Sequence, residues 1–517
     1  MAYSPYVIDD FGGGLNLRSK IADLADNETP VCRNVVFIDG AVETRSGYDN
    51  LTSALTNPVE SLHPYYESDG TTQLLAGCGT RLEAISTAGA VVDSETGLTS
   101  TGSPWFWDFA RVGTASAEYA YAGNGENVLK RWDGSTWTSV ANTPQGGALA
   151  VTPSSNRLVV TRFKGTTGGP TGGAGTSNPS RVYFSDPGAP ETWTTANYVD
   201  LDPGDGEVIQ AAITWREYVF VFKESKFYVF TDESTDVDGN PIFNYRKIDT
   251  GIGLSGPRAV AASESGVYFV DSRGLYVTTG EAPTKLSRRI DPMFFGGLDL
   301  TYFDFSATDY SVKQSARNTI AVGLWQERVY ITYGFNASGS SVSRVTLVYD
   351  TQDDWWSFWT SIPASCFATF RPAGDEELVF GHSTATPASY LIHRHNQSYT
   401  NDNGDQIVTS WRSKYMDFGT PEVKRVRQQK VWGSGGPVLC GVNVDYEADT
   451  APTGFEPSLD FTTDSGAGFN PVHRRVAQRG STFSIDFAGV SGSAWSIQRV
   501  EHHLASRRQP SVVQNEQ

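Results

Sequence analysis

The sequence predicts an all-β protein: a β-propeller of about six to eight blades followed by a C-terminal β-sandwich-like domain. Three observations point there. Apolar residues alternate or come in short runs, and few windows show them at i, i+3, i+4, i+7. Turn chemistry returns at a period of roughly 40–50 residues, the length of a four-stranded blade. Aromatic residues make up 12% of the chain, with Trp 13, Tyr 23, Gly 52 and only Met 3. That mixture suits short strands in tight turns, because aromatic rings pack on pleated surfaces and Gly supplies positive φ.

The elements follow in order. Residues 1–50 form an N-terminal arm. Its stretch 11–48 has too few apolar residues to fold alone, so it completes the propeller by adding a strand to the last blade or contacts a neighbouring subunit. Residues 51–405 form the propeller. Its clearest strands are Arg157-Leu-Val-Val-Thr161, Glu217-Tyr-Val-Phe-Val-Phe222, Lys226-Phe-Tyr-Val-Phe230, Val267-Tyr-Phe-Val270 and Arg328-Val-Tyr-Ile-Thr332. Polar turns rich in Asp, Gly and Trp separate them: Trp132-Asp-Gly-Ser-Thr-Trp137, Ser185-Asp-Pro-Gly188 before Trp193, and Tyr349-Asp-Thr-Gln-Asp-Asp-Trp-Trp356. A helix fits residues 291–300, kept short by Pro292, Gly296 and Gly297. Residues 165–179 are a low-complexity Gly/Thr loop. Asn401-Asp-Asn-Gly-Asp405 reads as a hairpin turn. Beyond it, residues 406–508 open on a basic stretch (Lys424, Arg425, Arg427, Lys430) and carry new strand signals at 438–446, 482–487 and 495–500. Residues 509–517 form a flexible polar tail.

The net charge of −18 opposes sequence-reading nucleic-acid binding, which rests on Lys and Arg. It is compatible with a wall along which DNA slides without sticking. Cys32, Cys78, Cys366 and Cys440 lie far apart and form no CxxC or Cys/His cluster, so buried thiols made in a reducing cytosol are expected. The N-terminus lacks a basic and an apolar signal region, and no run of about 18 apolar residues occurs.

Few groupings invite chemistry. His393 and His395 form an H-x-H that a strand places on one face, but no third ligand follows at metal-site spacing, so two polar rings on a solvated face are expected. His502 and His503 point to opposite faces of a strand. Asp236-x-Asp238-Gly239 resembles a calcium loop without its closing bidentate Glu, and is read as a hairpin tip. The Asp133-Gly134…Trp137 and Ser185-Asp186…Gly188…Trp193 turns approach the Asp box of sialidase-like propellers, in which the Asp caps its turn and the Trp packs on the next blade. A glycosidase needs two carboxylates at a set distance, and sequence alone selects none of the 58 present. No G-x-S-x-G, H-E-x-x-H or P-loop occurs. The chain is therefore read as non-enzymatic, with no catalytic, cofactor-binding or metal residue assigned and no cofactor expected.

A family resemblance lies in an ordered set of short motifs. These are Phe11-Gly-Gly-Gly-Leu15-Asn16, then Asn34, then Gly40-Ala-Val-Glu-Thr-Arg45-Ser-Gly47-Tyr48. They continue with Val182-Tyr-Phe-Ser-Asp186, Pro190 and Trp193; Gly206-Glu-Val-Ile209; residues 251–257 leading to Gly274-Leu-Tyr276; and Ala282-Pro-Thr-Lys-Leu-Ser287 before Ile290. This succession resembles the tail nozzle or tail hub proteins of short-tailed phages, also called packaged-DNA stabilisation proteins. The resemblance implies a virion structural protein located in the tail and made in the host cytoplasm. It implies a propeller protomer in a homohexameric ring below the portal and adaptor proteins, with tail fibres or tailspikes on its outside. Its role would be to close the DNA channel, retain the packaged genome and conduct it at infection, with transient, non-specific passage of DNA. The alternatives are a minor tail protein that binds a receptor or glycan, with Trp105, Trp107, Trp355, Trp356 and Trp359 as sugar platforms, and a virion-associated glycoside hydrolase.

Overall fold

The computed structural model describes residues 4–99, 106–113, 118–163, 178–237, 241–296, 309–336, 342–372, 374–383, 386–419, 421–445, 458–461, 471–476, 478–490 and 494–506. Trp105, most of the 165–179 loop, Asp238-Gly239, Tyr446 and the 509–517 tail lie outside them.

Antiparallel meanders of four strands follow one another from residue 61 onward. Their first strands are Ser61–Tyr66, Asp108–Gly113, Gly146–Thr152, Ala211–Trp215, Val260–Ser263, Ala321–Trp325 and Ala364–Phe370. Each first strand packs on the next, and Ala364–Phe370 packs on Ser61–Tyr66, so the meanders close into a ring with these strands innermost. The protein is a β-propeller. Six of the meanders are separate four-stranded sheets; the one beginning at Ala321 is continuous with a larger sheet.

A blade buries both faces against its neighbours. Its central strands therefore read as unbroken apolar runs, as in Val219, Phe220, Val221 and Phe222, which are all buried. Each junction holds its own apolar cluster. Tyr65, Leu75, Trp107 and Trp132 fill the first junction, Val112, Leu149 and Val160 the second, and Val159, Phe184 and Val221 the third. Leu74, Ala76, Cys366 and Val379 join the last blade to the first.

The last blade takes its outer strand from far away in the sequence. Tyr48–Asn50 pairs antiparallel with Ile392–His395, with Tyr48 opposite His395. The sandwich likewise draws on both ends of the chain. One sheet runs Val472–Arg475, Lys424–Gly435, Trp495–Ser506, Ala41–Thr44, Val35–Ile38, with Ser4–Ile8 also paired to Trp495–Ser506. The other begins as the blade ending at Trp356–Trp359. It continues through Val31–Arg33, Ser410–Arg412, Phe483–Gly489, Val438–Val444 and Ser458–Leu459. Val431, Val500 and Ile497 of the first sheet share one core with Cys440, Ile485 and Phe487 of the second.

Two local expectations change, and the helix is short as expected, residues 297–300 lying outside the described ones. The sandwich includes strands from residues 4–44 as well as from the segment after 405, because short strand signals do not reveal their partners. The 401–405 segment does turn, with an Asp402–Asp405 bridge and positive φ at Asn403 and Gly404. The strands on either side of it belong to different sheets, so it is not a hairpin. The helix is a single turn and a half, Asp291–Phe295, stopped at Gly296 with φ +77°. All four cysteines are buried and none is in a disulfide. Among the described residues no helix is long and apolar enough to cross a membrane.

Candidate functional site

Residues 34–48 form a clasp between propeller and sandwich. Asn34 sits at φ +53° and is fully buried. Its Nδ2 donates to the Val408 carbonyl (2.7 Å) and to Thr360 Oγ1 (3.1 Å), while its Oδ1 accepts from the Thr360 amide and from Arg45 Nε, both at 3.1 Å. Arg45 then forks onto Asp402, with Nη1 donating to Oδ1 (2.9 Å) and Nη2 to Oδ2 (2.6 Å). Both side chains are essentially sealed, at 0% and 2% exposure. The guanidinium also lies 5.2 Å from the Trp359 ring centre. A planar, bidentate donor is needed to join these groups in one plane, and Lys has no such fork.

Two glycines let the backbones meet. A Cβ on Gly47 would lie 1.8 Å from the Asn401 carbonyl oxygen. One on Gly14, at φ +66°, would lie 2.7 Å from Trp355 Cβ. Phe11 packs edge-on against Trp411 at 5.1 Å, and Tyr48 edge-on against Phe380 and His393. A second sealed pair stands nearby in the sandwich, where Arg412 Nε and Nη2 donate to the two oxygens of Asp486 at 2.8 and 2.9 Å.

The outer face of the sandwich is basic. Residues 406–517 hold 12 Lys and Arg against 11 Asp and Glu, whereas residues 1–405 hold 28 against 47. The register concentrates the cations. Arg425 stands opposite Arg479, Gln428 opposite Arg475 and His503, Lys430 opposite His473 and Glu501, and Trp432 opposite Arg499. Arg425, Arg427, His473, Arg475, Arg479 and Arg499 are exposed. Arg499 lies 5.1 Å from the Trp432 ring centre. Glu501 is the one carboxylate in these pairs, 3.6 Å from Lys430 and 2.9 Å from His503. A groove of about 560 Å³ runs between Arg427, Arg475 and His503. Such a face attracts a phosphate backbone or another polyanion, with Trp432 and Arg499 available for stacking.

The histidine expectation is corrected. His393 and His395 do share a face, but that face is core: they are 2% and 0% exposed. His395 lies 5.0 Å from Trp325, and its Nδ1 is 2.7 Å from the Gly47 carbonyl. Burial pushes both rings down to about 3, with help from His382 on His393 and from Arg45 on His395. His502 is buried and His503 is partly exposed, on opposite faces as expected; burial takes His502 down to about 3 as well. Among the described residues no group of three or more His, Cys, Asp and Glu is placed to hold a metal ion.

The Asp-box-like turns behave as turns. Asp133 Oδ1 accepts from the amides of Ser135 and Thr136 at 3.0 and 2.8 Å. Trp132 and Trp137 pack on each other and on the preceding blade, where Trp132 Nε1 donates to Gln73 Oε1. Asp350 Oδ1 caps the amides of Gln352 and Asp353 in the same way. Trp107, Trp355, Trp356 and Trp359 are all core residues, at most 2% exposed, so these rings offer no surface to a sugar. Asp236 lies at the tip of the hairpin between Phe227–Thr235 and Pro241–Ile248. Sequence reading singled out Arg45, Gly47 and Lys424–Lys430 but missed Asp402 as the partner of Arg45. It also missed Arg475, Arg479 and Arg499 as neighbours of the basic stretch. Only strand register brings these groups together.

No protein-family model matches the chain, and no curated protein does. Among solved structures, BBS1N in complex with ARL6DN, soaked with mercury, aligns at TM-score 0.36 and 9% identity, covering 68% of this chain and 97% of that one. The Pan2 WD40 domain of Neurospora crassa aligns at TM-score 0.39 and 7% identity, covering 67% and 95%. The propeller assignment rests on the sheet order described above and not on these alignments.

Proposed function

We propose that this chain is a structural virion protein of a short-tailed phage, the nozzle or hub that closes the tail channel, retains the packaged genome and conducts it at infection. It would act as a homohexameric ring in the tail, joined to portal and adaptor proteins and carrying fibres or spikes. The observation that carries this reading is the clasp. Phe11, Gly14, Asn34, Arg45, Gly47 and Tyr48, which carry the family resemblance in the sequence, are also the residues that lock the N-terminal segment between propeller and sandwich. The motif residues between 11 and 48 thus form one packing unit, which supports reading them as a signature.

The division of charge supports the DNA-conducting part. An acidic body repels the phosphate backbone, while the basic sandwich face gives DNA a local, salt-sensitive contact. The test is cryo-EM of purified virions labelled with an antibody fragment against residues 406–517. A closed axial ring bearing the label is the expected result. Label confined to peripheral appendages, with no axial ring, would overturn the reading.

A further inference from the structure

The propeller axis holds a cavity of about 520 Å³, walled by the innermost strands. Arg111, Arg162 and Arg258 line it; Arg111 is paired with Glu118, and Arg344 stands close enough to Arg258 to feel its charge. Arg258 leads into the fifth blade and reaches across the axis to the first, where its Nη1 donates to the Glu60 carbonyl at 2.7 Å. On the way its guanidinium lies 3.8 Å from the centre of the Phe106 ring. Arg162, from the third blade, donates through Nη2 to the Phe106 carbonyl (2.8 Å) and to that of Gly147. Arg344, from the blade beginning at Ala321, donates to the Thr319 carbonyl at 3.0 Å.

These contacts go to carbonyls. Among the described residues neither Arg258 nor Arg344 has a carboxylate within ion-pair distance, and the buried Nε of Arg258 has no hydrogen-bond partner. His63, also in the cavity wall, stacks on Phe109 and its Nε2 is likewise without a partner. Two acids nearby, Asp108 and Glu60, act on Arg162 and Arg258 without an ion pair to Arg258. Asp108 already accepts from the amides of Phe109 and Leu149. Burial raises both Asp108 and Glu60, favouring their neutral forms. Burial first, then the charge of Arg258, brings Arg162 down to about 10, against the opposing pull of Asp108, and Arg344 down to about 9. Guanidiniums that repel one another in a low-dielectric cavity, with the Nε of Arg258 unspent, call for a counter-charge.

We infer that the axial cavity is a binding site for a small oxyanion of the phosphate class, held by Arg258, which lies over Phe106 in the cavity that His63 also lines. The guanidinium fork matches a phosphate's oxygens, and the volume admits a phosphate monoester as well as the free ion. This inference stands independently of the virion role.

The test uses the full chain. Inorganic phosphate and glucose 6-phosphate are each titrated by calorimetry at fixed ionic strength, against a chloride control. Saturable one-site binding is expected. A tenfold tighter constant for the sugar phosphate would identify an organic monophosphate as the occupant, and equal constants the free ion. Arg258→Gln is expected to weaken binding at least tenfold, with thermal melting checking that it folds. Arg258→Lys, which keeps the charge and loses Nε, is expected to weaken it by less. Wild-type protein showing no saturable signal for either probe overturns the inference, whatever the variants do. So does a folded Arg258→Gln that binds as wild type does.

Discussion

Each of the first five blades is cut from one continuous stretch of chain, and every strand in it pairs with its sequence neighbour. In the joint between propeller and sandwich, Tyr48–Asn50 pairs with Ile392–His395, Val31–Arg33 with both Trp356–Trp359 and Ser410–Arg412, and Ser4–Ile8 with Trp495–Ser506. The polar chemistry differs accordingly. Blade turns are capped locally, as by Asp133 on residues two and three ahead. The joint relies on sealed, long-range groups: Arg45 with Asp402, Asn34 with Val408, and Arg412 with Asp486. A local cap can be lost with only its own turn, whereas a buried pair that joins distant segments carries the closure of the whole ring. One apolar core runs without a break from the fourth and fifth blades through the joint into the sandwich, while the first blades pack through separate clusters. The contrast predicts which mutations spread and which stay local.

The largest effect is expected from Arg45→Ala. It leaves Asp402 buried without its counter-charge, and breaking such a pair costs about 3–5 kcal/mol. Urea unfolding measures the loss. Hydrogen exchange should show Tyr48–Asn50 and Ile392–His395 losing protection while Arg157–Phe163 keeps it. Uniform loss across the chain would show instead that blades and joint open as one unit, and the comparison would fail.

Gly47→Ala comes next. Its new Cβ cannot coexist with the Asn401 carbonyl unless one backbone moves, at a cost of roughly 1–3 kcal/mol. The readout is again exchange at the last blade. A variant as stable as wild type would mean that the clasp yields easily and is not the rigid element of the joint.

Acid should weaken the joint. His393 and His395 are held neutral, with folded values near 3 against about 6.5 when unfolded. The stability they contribute is fully present above pH 6.5 and is lost as pH falls toward 3, because the unfolded chain takes up their protons first. Between pH 7 and pH 5 this amounts to roughly 2 kcal/mol per ring. His393→Phe should lower the pH dependence of the melting temperature by one ring's share; an unchanged slope would place the acid sensitivity elsewhere.

Asp133→Ala is the small, local counterpart. It removes two amide caps at an exposed turn and should cost about 1 kcal/mol, with exchange rising only around Lys130–Ser139. Spread beyond the second blade would erase the distinction between the two regions.

The legible and illegible parts of the chain divide along the same line. The runs at 157–161, 218–222, 267–270 and 328–332 became strands because short apolar runs bounded by turn residues have one good use, and the turns at 132–137 and 349–356 sit where their Asp and Gly residues placed them. His393 and His395 were placed on one face correctly, but the sequence did not say that this face meets Tyr48 and Trp325, since alternation looks alike on a buried and on a solvated face. The basic stretch at 424–430 was visible; its neighbours Arg475, Arg479 and Arg499 were not part of it until register aligned them.

By itself, then, the sequence determined the all-β class, the turn positions and the chain's overall negative charge, because periodicity, turn chemistry and composition act over a few residues at a time. The tertiary structure alone decided which end of the chain closes the last blade, where the cations gather, and that Arg162 and Arg258 meet at the propeller axis. Those outcomes depend on pairings between segments far apart in the chain, and such pairings are chosen by the shape and burial of the assembled core.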